Sequence, residues 1–212
     1  MGRMTGTFRR QGRSLIDWSL SAVRPPGESE SGDMALVKPV TNGVLMAAVD
    51  GAGHGREAAN AARIAVSTLK EHAGEGIVAL LRLCHLRLRG TRGAVVSLVS
   101  FDGERNEMKW LGVGNVSGLL VRRREHPGAL RQWILLKGGV LGYALPPLQP
   151  QIIRVLPGDT IALATDGIHP DFMKDVDSET PLQTLASRLC ARYATGCDDG
   201  MMLVARYLGW NT

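Results

Sequence analysis

The chain has 212 residues, of which 44% are apolar and 21% charged, a composition that indicates a globular domain and excludes a disordered chain. No apolar run approaches the ~20 residues of a membrane-spanning helix, and no signal-peptide pattern follows the basic start, so we expect a cytoplasmic protein with no membrane partner. The net charge is +5, but the densest basic run, 122–124, lacks interleaved aromatic residues. We therefore expect no nucleic-acid partner.

The length favours one domain rather than two. Residues 1–12 are basic and carry no apolar pattern, and we expect them to form a disordered tail. Residues 13–209 are predicted to form a single domain.

Apolar periodicity predicts ten strands and three helices. In chain order they are strands at 16–22, 34–40 and 44–49, helices at 56–72 and 77–88, strands at 94–101, 107–113, 116–122, 132–136, 152–156 and 160–165, a helix at 180–193, and a strand at 201–207. Turn signals join neighbouring strands, and no regular alternation of strand and helix is present. The predicted fold class is α+β, a β-sandwich of two mostly antiparallel sheets flanked by helices.

A glycine-rich loop, VDGAGHG at 49–55, follows the third predicted strand and precedes the first helix. Such a loop could hold a nucleotide, but a dinucleotide-binding loop needs a third glycine where this chain has Arg56. Asp50 would also repel a pyrophosphate, and the parallel sheet of such folds is not predicted. The nucleotide interpretation is therefore rejected.

Aspartates stand at four strand ends: Asp33 before a strand, Asp50 and Asp166 after strands and before glycines, and Asp198 with Asp199 before the last strand. A single Asp-Gly pair after a strand is usually only a turn. A buried carboxylate, however, is costly unless it is paired or bound to a metal. No lysine or arginine closely flanks these aspartates, and oxygen ligands suit Mg²⁺ or Mn²⁺. If the strand ends converge, the sequence predicts a divalent-cation site.

Four motifs in this order make the chain recognisable: SGD at 31–33, VDGAGHG at 49–55, ATDGI at 164–168 and DD at 198–199. Together they resemble the metal-dependent serine/threonine protein phosphatases (PPM family), in their SpoIIE-like bacterial branch. The stretches PPGESESGD and GVGNVSG are similar to those of a small phosphatase of the stressosome pathway. The resemblance extends over about 15–207.

The resemblance implies a role for each motif residue. Asp50 would bridge two Mn²⁺ or Mg²⁺ ions, and the carbonyl of Gly51 would bind one of them. Asp166 and Asp198 would bind the other ion, and Asp33 would hold a metal-bound water or contribute to the second site. Asp33, Asp50 and Asp166 are thus the expected catalytic residues. Hydroxide bridging the two ions would then attack phosphoserine or phosphothreonine in line.

The implied partner is a phosphorylated stressosome scaffold or an anti-anti-sigma-type protein, and the chain is expected to be a monomer. Three alternatives stay open: a catalytically silent phosphoprotein-binding relative, a phosphatase for a different bacterial phosphoprotein, and a structural calcium protein. Family members carry a histidine two residues after the bridging aspartate, where this chain has Ala52. We expect His54, two residues later, to pack or cap at the helix start.

Overall fold

The computed structural model describes residues 2–10, 13–27, 30–123, 125 and 130–210. In chain order the elements are β1 (Gly2–Arg10), β2 (Arg13–Val23), β3 (Asp33–Val40), β4 (Gly43–Gly51), α1 (Gly55–Glu71), α2 (Ile77–Arg87), β5 (Ala94–Asp102), β6 (Glu107–Val113), β7 (Ser117–Val121), β8 (Arg131–Trp133), β9 (Gln151–Arg154), β10 (Thr160–Ala164), a 3-10 helix (Pro170–Lys174), α3 (Leu182–Tyr193) and β11 (Gly200–Tyr207).

The strands form two sheets, with the orders β1-β2-β11-β10-β7-β8 and β3-β4-β5-β6-β9. Every pair of neighbouring named strands is antiparallel. The predicted α+β class, with two antiparallel sheets and flanking helices, is confirmed.

The central strands are apolar on both faces because each sheet is covered on both sides. Along β4, Val44 and Met46 belong to the core between the two sheets, whereas Leu45 and Val49 belong to a second core under α1 and α2. This alternation follows from the two-residue period of a strand. Continuous apolar runs, rather than alternating ones, are therefore the pattern of these strands.

The helices form the outer layers. Leu69 of α1 and Leu80 of α2 are fully buried in the core on the second sheet, and Leu185 and Leu189 of α3 are fully buried in a third core on the first sheet. Burying each leucine contributes about 1.5–3 kcal/mol. The result is a four-layered helix–sheet–sheet–helix arrangement. None of the helices in the described part of the chain has the length and apolarity to cross a membrane.

The expected disordered tail is wrong for residues 2–10, which form strand β1. β1 pairs with β2 from Gly2 opposite Ala22 onward. Gly6 lies against the indole of Trp18, where a Cβ would come within 2.7 Å of Nε1. Backbone pairing and this close contact order a segment that has no apolar alternation. Residues 1, 11 and 12 lie outside the described residues.

Two further differences concern short elements. The 3-10 helix at Pro170–Lys174 was not expected, and β8 covers three residues rather than the predicted 132–136. The last residue of the basic run, Arg124, lies outside the described residues.

Candidate metal centre

Two pairs of neighbouring strands bring the predicted aspartates together. In the second sheet, Asp33 begins β3 and lies directly opposite Asp50, near the end of β4. In the first sheet, Asp166 follows β10, and Asp198 and Asp199 precede its antiparallel neighbour β11. Antiparallel pairing places the end of one strand beside the start of the next. Each sheet therefore supplies its carboxylates at one end of the sandwich.

Hydrogen bonds join these two ends across the sandwich. The hydroxyl of Thr165 donates to Asp33 Oδ2 at 2.6 Å and accepts from the backbone N–H of Met201 at 2.8 Å. The backbone N–H of Gly32 donates to Asp199 Oδ2 at 2.8 Å. Thr165 is buried, and the bonds from Met201 and Gly32 are buried as well. The start of β3 is thereby fixed against the end of β10 and the start of β11.

The glycines of both Asp-Gly pairs are required by close backbone approaches. A Cβ on Gly51 would lie 2.0 Å from the carbonyl oxygen of Ala58 in α1, and a Cβ on Gly167 would lie 1.8 Å from the carbonyl oxygen of Asp199. Neither obstacle is a flexible side chain that could move aside. These two Asp-Gly pairs therefore differ from an ordinary turn. Their glycines are needed because another backbone segment packs directly against each of them.

The carboxylates of the cluster are crowded, and their negative charges repel one another. Burial raises the pKa of Asp50 to about 8, and the negative charges of Asp166, Asp198 and Asp199 contribute to the increase. Burial also raises the pKa of Asp33 well above its ordinary value, as does the charge of Asp50, while the threonine hydrogen bond partly offsets the rise. Among the described residues, no positively charged side chain lowers either pKa appreciably. Such a cluster favours a bound cation.

The donor set fits a hard divalent ion. Asp199 Oδ1 is buried and has no hydrogen-bond partner among the described residues, and the other oxygen donors are carboxylates, which Mg²⁺ and Mn²⁺ prefer. Asp166 Oδ2 accepts a hydrogen bond from Asn115 Nδ2 at 2.9 Å. Within the described ranges, no group of three or more His, Cys, Asp or Glu side chains is arranged to hold an ion. The carboxylates would therefore have to approach one another more closely to enclose an ion.

The remaining predicted residues lie beside this cluster. Asp198 is exposed, and its Oδ1 accepts from the backbone N–H of Asp199 at 2.8 Å. His54 occupies the N-cap position of α1, and its side chain makes no capping hydrogen bond. Of the two roles expected for it, packing or capping, only packing stays a prediction. A cleft of about 300 Å³ adjoins the cluster. Its lining residues are Pro25, Pro26, His54, Cys197, Asp198 and Asp199.

Sequence reasoning gave no separate role to three residues of the cluster: two that hydrogen-bond to its carboxylates, and one aspartate that binds the backbone of Gly32. Thr165 lies within the ATDGI motif, Asn115 within GVGNVSG, and Asp199 within the DD pair. Their motifs were noticed, but their partners are 132, 51 and 167 residues away along the chain. Only the adjacency of two aspartates gave a signal, and that signal did not distinguish a buried carboxylate from an exposed one.

Comparison with known proteins finds a matching family and a curated relative. Residues 41–206 match the family of Stage II sporulation protein E (SpoIIE). Phosphoserine phosphatase RsbX of Bacillus subtilis (strain 168) is 23% identical over 180 residues, which cover 84% of this chain and 87% of RsbX.

Two solved structures share the fold. A chain from a structural study of the bacterial stressosome is 29% identical, with a TM-score of 0.81, covering 90% of this chain and 99% of the other. A crystal structure of RsbX in complex with magnesium is 20% identical, with a TM-score of 0.82, covering 96% of this chain and all of RsbX.

The fold and the matches define the class of this protein: it is a protein serine/threonine phosphatase of the PPM type. The expected enzyme class is thereby confirmed. Within that class, the chain belongs to the SpoIIE family, since the match spans most of its length.

Proposed function

We propose that this chain hydrolyses phosphoserine or phosphothreonine on a bacterial signalling protein and depends on two divalent ions, Mn²⁺ or Mg²⁺. The observation that carries the proposal is that Asp33 and Asp50 meet Asp166 and the Asp198–Asp199 pair, and that no positive charge among the described residues appreciably lowers the pKa of Asp33 or Asp50. A purely structural role would not explain a cluster of carboxylates whose like charges repel one another. The magnesium complex of RsbX supports a divalent ion.

Each residue of the cluster has a distinct task in this proposal. Asp50 lies opposite Asp33 and is affected by the charges of Asp166, Asp198 and Asp199, so it would contact both ions, with the carbonyl of Gly51 on one of them. Asp166 and Asp198 would hold the second ion, and Asp33 would orient water at the first. The bound ions supply Lewis acidity, which lowers the pKa of water and offsets charge on the phosphoryl oxygens.

Two side chains hold the carboxylates that would bind the ions or their water. Thr165 fixes one oxygen of Asp33 by its 2.6 Å hydrogen bond, and Asn115 holds one oxygen of Asp166 at 2.9 Å. Fixed carboxylates lose less conformational entropy when ions bind. The mechanism needs no nucleophilic serine or cysteine.

The proposed partner is a phosphorylated stressosome scaffold or an anti-anti-sigma-type protein. Similarity to RsbX, named a phosphoserine phosphatase, and to a chain from a bacterial stressosome study supports this choice. We propose that the chain acts as a monomer on this partner.

The experiment that tests the proposal is hydrolysis of p-nitrophenyl phosphate and of a phosphoserine peptide, with Mn²⁺, Mg²⁺ or EDTA. We expect turnover with either ion, none with EDTA, and a loss of at least 100-fold in Asp166→Asn, in line with losing a metal ligand or its support (about 10–100-fold or more). Asp102→Asn, in a remote Asp-Gly turn, is the matched control and should keep full activity. Turnover that is unaffected by EDTA, or retained in Asp166→Asn, would contradict the proposal.

A further inference from the structure

A second, larger cleft opens beside the metal centre, on the side of α1. Its volume is about 660 Å³, which is in the range of pockets that hold a drug-sized ligand and exceeds the needs of a single phosphate. We call it the arginine cleft. Its principal lining residues are Glu30, Arg56, Glu57, Arg63, Arg92 and Tyr143.

The arginine cleft adjoins the loop that follows Asp50. The backbone N–H of Ala52 donates to the carbonyl of Gly93 at 3.0 Å, one residue after Arg92. The guanidinium carbon of Arg92 lies 3.7 Å from the position of a Cβ on Gly53. A substrate whose phosphoryl group reached the metal centre would therefore place its flanking residues along this cleft.

One wall of the cleft is rigid and aromatic. Tyr143 is 68% exposed, yet its hydroxyl donates to the carbonyl of Thr91 at 2.8 Å. Thr91 is itself fixed, since its hydroxyl donates to the carbonyl of Leu88 at 2.7 Å and accepts from the N–H of Gly93 at 3.0 Å. An exposed ring held in one place can contact a ligand at little entropic cost.

Positive charge exceeds negative charge along the cleft. Three guanidinium groups face two carboxylates among its described lining residues. Glu30 is shared, since Arg63 contacts it closely and Arg56 only at 3.8 Å, while Arg92 pairs with Glu57 at 2.8 Å. Exposed pairs of this kind are weak, so a carboxylate of another molecule can compete for the arginines.

We propose that the arginine cleft binds an acidic segment of the protein substrate, next to its phosphorylated residue. This inference rests on the proposed phosphatase function and adds a specificity determinant to it. Arg56 and Arg63 are the residues that select the acidic segment. The charge excess selects carboxylates, and the size of the cleft accommodates several residues of peptide.

The test uses two phosphoserine peptides that differ only in their flanking residues, glutamate in one and glutamine in the other. With Mn²⁺, the wild type should show a KM about threefold to tenfold lower for the glutamate peptide, the size expected for one or two exposed charge pairs. The double variant Arg56→Ala/Arg63→Ala should lose this preference and keep its turnover of p-nitrophenyl phosphate. The reversed variant Arg56→Glu/Arg63→Glu should instead prefer a lysine-flanked peptide.

A matched control removes the same charge outside the cleft. Arg82 and Arg87 are exposed on α2 and do not line the cleft, so Arg82→Ala/Arg87→Ala should keep the wild-type preference. Equal KM values for both peptides in the wild type would overturn the inference. Loss of p-nitrophenyl phosphate turnover in Arg56→Ala/Arg63→Ala would also overturn it, because the arginines would then act on the phosphoryl group itself.

Binding separates this inference from the proposed function. If the wild type hydrolysed neither p-nitrophenyl phosphate nor peptide, the phosphatase proposal would fail. Fluorescence anisotropy of a labelled glutamate peptide would still test the cleft, since binding needs no turnover. Weaker binding to Arg56→Ala/Arg63→Ala than to the α2 control supports the acidic docking site, and equal binding overturns it.

Discussion

Replacing Asp50 by asparagine should stabilise the metal-free protein while removing its response to metal. Burial and neighbouring negative charges raise the pKa of this carboxyl to about 8, from an ordinary value of 3.8. A carboxyl with a higher pKa in the folded state costs nothing below the unfolded pKa. Its cost then grows as pH rises and levels off above the folded pKa. The destabilisation is therefore small near pH 4, large at pH 8, and reaches its plateau above pH 8.

The magnitude follows from the same linkage. Each pH unit above the ordinary pKa costs about 1.4 kcal/mol, so the charge-related cost at pH 7 is ~4 kcal/mol. The half-buried amide of the Asp50→Asn variant has its own desolvation cost of ~1–3 kcal/mol. The net expectation is a gain of ~1–3 kcal/mol in the free energy of unfolding.

Chemical denaturation in EDTA at pH 4.5 and pH 8 measures this gain. The variant should exceed the wild type at pH 8, and the difference should shrink at pH 4.5. With Mn²⁺ the order should reverse, because only the wild type gains stability from bound ions. Asp171→Asn is the matched control, since Lys174 lowers the pKa of that exposed carboxyl, and it should give no gain at pH 8. A variant less stable than the wild type in EDTA at pH 8 would refute the reasoning.

Substitutions at three further positions test how the carboxylates are held. Gly167→Ala places a Cβ 1.8 Å from the carbonyl oxygen of Asp199. We therefore expect the melting temperature to fall by several degrees and calorimetry to show weaker Mn²⁺ binding. An unchanged melting temperature would contradict this. Thr165→Val removes the hydroxyl that binds Asp33 and should cost ~1–3 kcal/mol of stability in EDTA, whereas Thr165→Ser should restore most of it. Asn115→Ala should change the free energy of unfolding by no more than about 1 kcal/mol but raise the Kd for Mn²⁺ roughly tenfold. An unchanged Kd would exclude a positioning role for Asn115.

The strands were largely predictable because most of them combine apolar runs with local turn chemistry. Thr41 and Asn42 form a two-residue connection that fixes the register of β3 against β4, and that register places Asp33 opposite Asp50. The edge strand β1 could not be predicted in this way. Its order depends on pairing with β2 and on the contact of Gly6 with a distant indole, neither of which leaves a periodic signal.

The site was predictable only as far as its motifs extend. Strand-end aspartates followed by glycine carry local information, since burial at a strand end makes a lone carboxylate costly. The residues that hydrogen-bond to those aspartates have no such local signal in the sequence. Thr165 and Asn115 are ordinary polar residues in sequence, and only the packing of the two sheets brings them against carboxylates. The arginine cleft was missed for the same reason, because its arginines come from α1 and from the loop before β5.

The most direct test of the central claim is the number of Mn²⁺ ions that one chain binds, measured by isothermal titration calorimetry after EDTA treatment and dialysis. The account predicts two ions for the wild type and fewer for Asp166→Asn, because that carboxylate is assigned to one ion. Absence of Mn²⁺ binding in the wild type, or the same stoichiometry and affinity in the variant, would contradict the assignment of the strand-end aspartates as a metal centre.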